Sequence, residues 1–174
     1  MLSRVEKFEA ALAQTDCDAV LVTNLKNIYY LTGFSGTEAT VFISKNRRIF
    51  LTDARYTLIA KGVVQGFDIV ETRDAIGEIV KIIADDKLQK IGFDDEISYA
   101  YFKMLESVFS AYELVPMTGF IENLRMIKDE QEIATIRKAC QISDQAFLDV
   151  LDFIKPGETT ELAVMNFLDA RMRQ

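Results

Sequence analysis

The stretch Ala39-Thr-Val-Phe-Ile-Ser-Lys-Asn-Arg-Arg-Ile-Phe-Leu-Thr52 sets two apolar runs, 39–44 and 48–52, on either side of a short polar turn. Runs this short, rich in Val, Ile and Phe, are expected to pair as an antiparallel hairpin across a tight turn whose Asn46 tolerates a left-handed backbone. Outward from the hairpin the pattern changes. Upstream, Ser3-x-x-Glu6 reads as a capping box opening a helix whose Val5, Phe8 and Leu12 share one face. Residues 18–23 then form a buried strand, and Asn24 caps a short helix through Tyr30. Downstream come a helix at 53–62 capped by Asp53, a strand at 65–71, and a helix at 74–85 carrying Ile76, Ile79, Val80 and Ile83. A strand at 90–94, a helix at 98–109 and a strand at 112–116 complete the series. Strands alternating with helices of this length predict an α/β domain, and the hairpin makes its sheet mixed, flanked by helices.

After 116 the alternation stops. Asp129 is placed to cap a long helix, Glu130 and Glu132 suit the positive end of its dipole, and no Gly or Pro intervenes before Pro156. Ile133, Ile136, Cys140, Phe147, Val150 and Ile154 recur at steps of three and four, broken only at Ser143, so one apolar stripe runs its length. A second helix from Thr159 to about Arg171, with Leu162, Met165, Leu168 and Met172 on one face, is the available cover. The expected division is 1–125 for the α/β domain and 126–174 for a linker and two helices.

Composition excludes several functions. The chain of 174 residues is 49% apolar without a low-complexity tract, so it is globular. A formal charge of −7, with Arg47-Arg48 in the hairpin turn as the only basic run, argues against nucleic-acid binding. No apolar run has transmembrane length, and the amphipathic start Met-Leu-Ser-Arg-Val-Glu-Lys is no signal sequence. Cys17 and Cys140 read as buried free thiols of a cytoplasmic protein. There is no histidine, so imidazole is missing both as general base and as metal ligand. Asp85-Asp86 and Asp94-Asp-Glu96 lack the glycine punctuation of a calcium loop and read as solvated turns and caps. Neither Gly-x-Gly-x-x-Gly nor a Walker loop is present.

Four ordered blocks carry a family resemblance: Asn27-Ile-Tyr-Tyr-Leu-Thr-Gly-Phe34 with Gly36, Leu51-Thr-Asp-Ala-Arg-Tyr56, the segment from Arg125 through Ser143-Asp-Gln-Ala146, and Lys155-Pro-Gly-Glu-Thr-Thr-Glu161. They resemble the creatinase/prolidase/aminopeptidase P family, metallopeptidases with a pita-bread catalytic domain. Gly-Phe-Ser-Gly paired with Thr-Asp-Ala-Arg-Tyr is more similar to bacterial Xaa-Pro aminopeptidases than to prolidases, the near alternative. The resemblance implies a mixed-sheet N-terminal domain followed by the first helices of the catalytic domain. It implies a parent hydrolase that releases an N-terminal residue preceding proline, using two divalent metals, manganese or cobalt, held by two aspartates, a histidine and two glutamates. Those ligands would lie beyond Gln174, so no residue here is assigned to catalysis or metal and this chain alone is expected to be inactive. A helix still periodic at Phe167-Leu-Asp-Ala-Arg-Met-Arg-Gln174 reads as a truncation, which disfavours the rival reading as a free-standing protein-binding module. The implied partners are further copies of the chain, as homodimer or higher oligomer, and proline-containing peptides.

Two segments are candidate sites. In Gly33-Phe-Ser-Gly-Thr-Glu38, two glycines around an aromatic and a hydroxyl allow an exposed Phe34, and the resemblance implies that this loop, with Ser35, Gly36 and Thr37, approaches a neighbouring subunit's substrate entrance. The structural alternative ends the helix at Gly33 and drops Phe34 into the core. Ser35 is no nucleophile, because the elbow pattern fails at Thr37 and there is no histidine to activate it. The second segment is Thr52-Asp-Ala-Arg-Tyr56, where Arg55 and Tyr56 either pair locally with acidic neighbours or reach a partner or a substrate carboxylate.

Overall fold

The computed structural model describes residues 3–173; Met1, Leu2 and Gln174, which entered the readings of the two ends, lie outside them. The chain divides after Met126 into two compact units. The expected boundary lay one residue earlier.

The first unit runs α1 (Arg4–Leu12), β1 (Ala19–Val22), α2 (Leu25–Thr32), β2 (Thr40–Ser44), β3 (Arg48–Thr52), α3 (Thr57–Val63), β4 (Asp68–Glu71), α4 (Ala75–Asp85), β5 (Lys90–Phe93), α5 (Tyr99–Val108), β6 (Glu113–Pro116) and α6 (Phe120–Met126). The six strands lie in the order β4-β3-β2-β1-β5-β6. β2 runs antiparallel to both β1 and β3, while β1, β5 and β6 are mutually parallel, as are β3 and β4. The sheet is therefore mixed, and the hairpin supplies its one reversed strand.

Alternation along the strands splits the core into two layers. Val20, Val22, Val41, Ile43 and Phe50 face one side, where α1 and α2 contribute Phe8, Leu12, Ile28 and Leu31, α3 contributes Ala60 and α6 contributes Ile121. Ala19, Leu21, Phe42, Ile49, Leu51, Ile91 and Phe93 face the other, against Ile79 and Ile83 of α4 and Leu105 of α5. Central strands buried on both faces explain why β1 and β2 read as unbroken apolar runs. Phe42 and Phe50 are fully buried, each contributing about 1.5–3 kcal/mol.

Local chemistry fixes the element ends. The Ser3–Glu6 capping box forms as expected, and Asn24, Asp74 and Ser98 cap their helices through side-chain oxygens. Other expectations are corrected. The hairpin turn needs no left-handed Asn46: among described residues Lys87 alone, glycines apart, has positive φ. Ser44 closes the turn instead, its Oγ accepting from the amides of Asn46 (3.3 Å) and Arg47 (3.2 Å). Both turn arginines are engaged, Arg47 bidentate to Asp86 and Arg48 bidentate to Glu9. Helix α3 starts at Thr57, since Asp53 heads a turn first: its carbonyl accepts from the amides of Tyr56 and Thr57, both at 3.1 Å. Strand β4 begins only at Asp68, because Gly66 at φ 75° turns the chain before it. Helix α6 was not anticipated; seven residues carry too little periodicity to announce it.

The second unit is a pair of packed helices, α7 (Glu130–Phe153) and α8 (Glu161–Met172). Asp129 and Glu132 form a capping box that opens α7. Gly157 at φ 78° reverses the chain, and Thr159 Oγ1 accepts from the Lys155 amide at 2.8 Å. The helices meet through Ala146, Val150 and a stacked Phe153–Phe167 pair with centroids 4.4 Å apart, sealed by Arg171–Asp149 at 3.1 Å. The expected cover differs: Leu162, Met165 and Met172 are more than half exposed, because α8 turns Val164, Phe167 and Leu168 inward. Cys17 is buried as expected, but Cys140 is exposed.

Candidate functional site

The strand directions bring both candidate segments to one edge of the sheet. β1, β3, β4, β5 and β6 end there and β2 begins there, so the loop entering β2 and the turn leaving β3 are neighbours. In open α/β sheets this carboxyl edge is where ligands bind.

Gly33 ends α2 in the left-handed conformation at φ 75°, its amide donating to the Tyr29 carbonyl at 2.8 Å. Phe34 then enters the core, so the structural alternative holds and the exposed ring does not: it is 1% accessible and packs edge-on against Phe50 (5.0 Å) and Tyr56 (5.7 Å). Gly36 lies against that ring, and a Cβ there would come within 2.3 Å of Phe34 Cζ and 2.9 Å of Tyr56 Cδ1. Ser35 and Thr37 are thereby left on the surface. Thr37 Oγ1 and Tyr56 OH lie 2.8 Å apart, tying the loop to the turn after β3.

Arg55 is pulled back onto its own turn. Its Nε (2.9 Å) and Nη2 (2.6 Å) donate to Asp53 Oδ2, and Asp53 Oδ1 accepts from the Arg55 amide at 2.9 Å. The guanidinium lies over the Tyr56 ring at 5.4 Å. Pairing with Arg55 holds the Asp53 carboxyl below the usual range and raises Arg55 in return. Beside them opens a cleft of about 520 Å³ lined by Glu38, Thr52, Asp53, Arg55, Arg73 and Tyr101 among others. Thr52 Oγ1 fixes its wall by donating to the Glu38 carbonyl at 2.6 Å. Burial pushes the Tyr101 phenol up.

A second cluster on this edge went unread in the sequence. Asp94, expected in a solvated turn, is 8% accessible. Its Oδ2 accepts from the amides of Thr23 (2.7 Å) and Asn24 (2.8 Å), and its Oδ1 from Asn27 Nδ2 (3.3 Å). Asn27, 1% accessible, also donates to Glu122 Oε1 (2.7 Å) and accepts from Arg125 Nη1 (2.9 Å). Burial is the largest influence on Asp94 and raises its pKa despite those donors. The cluster joins α2, β5 and α6. Its sequence signal was the asparagine opening the first resemblance block and the arginine opening the third. Asp94 carried no signal, since its acidic neighbours masked it.

Among the described residues no group of three or more His, Cys, Asp or Glu side chains is placed to hold a metal ion. The donors present do not fit the dinuclear site that the resemblance implies.

A layered α/β unit with a mixed six-stranded sheet, its loops gathered at the carboxyl edge, defines the class. Residues 4–127 match the creatinase/prolidase N-terminal domain, and the chain belongs to that family. It is similar to the aminopeptidase P, an Xaa-Pro aminopeptidase, of Streptococcus thermophilus, at 57% identity and TM-score 0.68 over 70% of this chain and 95% of that structure. An Xaa-Pro dipeptidase from Bacillus anthracis superposes with TM-score 0.87 at 35% identity, over 98% of this chain and 48% of that one. The uncharacterized peptidase YqhT of Bacillus subtilis strain 168 is 36% identical over 175 residues, 98% of this chain and 48% of its own length. The chain spans about half the length of the curated relatives it matches.

Proposed function

We propose that this chain forms the substrate-entrance part of an Xaa-Pro aminopeptidase, whose catalytic half, with two divalent metals such as manganese or cobalt, follows it in the parent enzyme. The observation that carries the reading is the Thr37–Tyr56 tie, which joins the loop bearing exposed Ser35 and Thr37 to the turn that bears exposed Arg55 at the carboxyl edge. Two hydroxyls and a guanidinium on a rigid rim offer donors and acceptors to a peptide backbone and its carboxylate. Phe34 serves from beneath by holding Gly36 and Tyr56 in place, and touches no substrate. The greater identity to an aminopeptidase P supports aminopeptidase over the near alternative, dipeptidase action on Xaa-Pro. Two unpaired cysteines support a cytoplasmic setting.

Two measurements test this. The 174-residue chain, given manganese and an Xaa-Pro-Pro tripeptide, should leave the peptide intact; turnover above the metal-only rate would defeat the reading. In the parent enzyme, Arg55→Ala should lower kcat/KM on the order of tenfold, about 1.4 kcal/mol, without changing Tm. Unchanged kinetics would make Arg55 merely the partner of Asp53.

A further inference from the structure

The cleft beside Asp53 and Arg55 holds a hydroxyl and two charges that the fold does not use. Thr40, which opens β2, stands opposite Leu51 of β3, so both side chains rise from the same face of the sheet into the cleft. Thr40 is 9% accessible, yet its Oγ1 makes no hydrogen bond. No polar side-chain atom among the described residues is both sealed from solvent and unbonded, so this hydroxyl opens into the cleft. The Tyr101 phenol, half-buried on the α5 side, is likewise without a partner. Burial raises its pKa and so keeps it a donor.

The charges around the cleft divide in the same way. Asp53 is paired with Arg55, and Asp74 Oδ1 accepts from the Gly77 amide at 2.9 Å as the cap of α4. Glu38 and Arg73 remain, both exposed and neither engaged in a hydrogen bond or ion pair. A simple anion at Arg73 would share the cleft with the Glu38 and Asp74 carboxylates, and a simple amine at Glu38 would share it with two guanidiniums. A molecule that carries both an ammonium and a carboxylate answers both charges. Leu51 and Ile76 add an apolar wall, and about 520 Å³ is ample for a small ligand. We propose that this cleft binds a free aliphatic α-amino acid as its zwitterion, with the ammonium at Glu38, the carboxylate at Arg73, and the Thr40 and Tyr101 hydroxyls as further hydrogen-bond partners. The cleft shares only Arg55 with the entrance residues, and the inference goes beyond the entrance reading and stands without it.

The metal-free 174-residue chain is titrated in a calorimeter with L-leucine, N-acetyl-L-leucine and L-leucinamide. L-Leucine is expected to saturate, and loss of either ligand charge should weaken binding on the order of tenfold. Glu38→Gln should erase the difference between L-leucine and its acetyl derivative, and Arg73→Gln that between L-leucine and its amide. Thr40→Val, which keeps the shape and removes the hydroxyl, should weaken L-leucine about fivefold. Glu38 and Arg73 are exposed, so circular dichroism of their variants should match the unaltered chain. No saturation below roughly 10 mM, equal binding of the three compounds, or charge variants that weaken all three alike would overturn the proposal. The titration contains neither metal nor peptide, so the entrance reading is judged separately.

Discussion

At the residue scale, the candidate loop depends on a contact that a single methyl group would destroy. Gly36 has ordinary room for its backbone but none for a Cβ, because Phe34 and Tyr56 occupy that space. Gly36→Ala is expected to cost about 1–3 kcal/mol by overpacking, measured as a lower urea midpoint at unchanged slope. Phe34→Ala in the same assay should cost about 3–5 kcal/mol, the range for an aromatic removed from a core. A surface loop would lose far less in either variant, so equal stability of all three proteins would contradict the packing described. The Gly-Phe-Ser-Gly loop was legible in the sequence as something unusual. Its sense was not, since whether a ring between two glycines points inward or outward depends on Phe50 and Tyr56, which arrive from other parts of the chain.

At the scale of elements, polar side chains that bond backbone amides of a neighbouring strand or helix set the register between them. Asp18 Oδ2 accepts from the amides of Gln89 (2.8 Å) and Lys90 (3.0 Å), pinning the start of β1 to β5, and those donors lower its pKa. A carboxyl depressed in the folded state stabilises above its unfolded pKa, and that contribution is lost as pH falls through the folded value. Asp18→Ala should therefore cost about 1–2 kcal/mol at pH 7, with the gap to the parent chain closing below about pH 4 in a series of denaturant melts. Asp94 acts with the opposite sign: its folded pKa is raised, so burying the ionised form costs stability at high pH and acidification relieves the cost. Asn27 is the hub between α2, β5 and α6. Asn27→Leu should cost about 2–4 kcal/mol, because Asp94, Glu122 and Arg125 each lose a partner. A loss below about 1 kcal/mol in chemical denaturation would show that water replaces the amide.

For the whole molecule, the two units differ in how much they bury. The first has two apolar layers around a six-stranded sheet, whereas in α7 and α8 only Ala146 and Val150 are buried. Local stability follows buried apolar contact. Amide exchange across α7 and α8 should accordingly run on the order of 100-fold faster than in β1 and β2. Comparable protection in both units would mean that the helical pair is covered in solution.

The sequence by itself determined what local physics decides. Alternation of strand and helix, the hairpin that makes the sheet mixed, the caps at Ser3, Asn24 and Asp129, and the family blocks could all be read because each depends on residues near one another in the chain. The tertiary structure decided what depends on distant neighbours. Asp94 is buried because the amides of Thr23 and Asn24 and the amide side chain of Asn27 converge on it from about 70 positions away. Phe34 is core because β3 brings Phe50 beneath it. Leu58 and Ile59, two apolar residues of a short helix, are left exposed because Ala60 takes the side that faces the core. Periodicity counts apolar positions but cannot tell which side of a helix the rest of the protein will occupy.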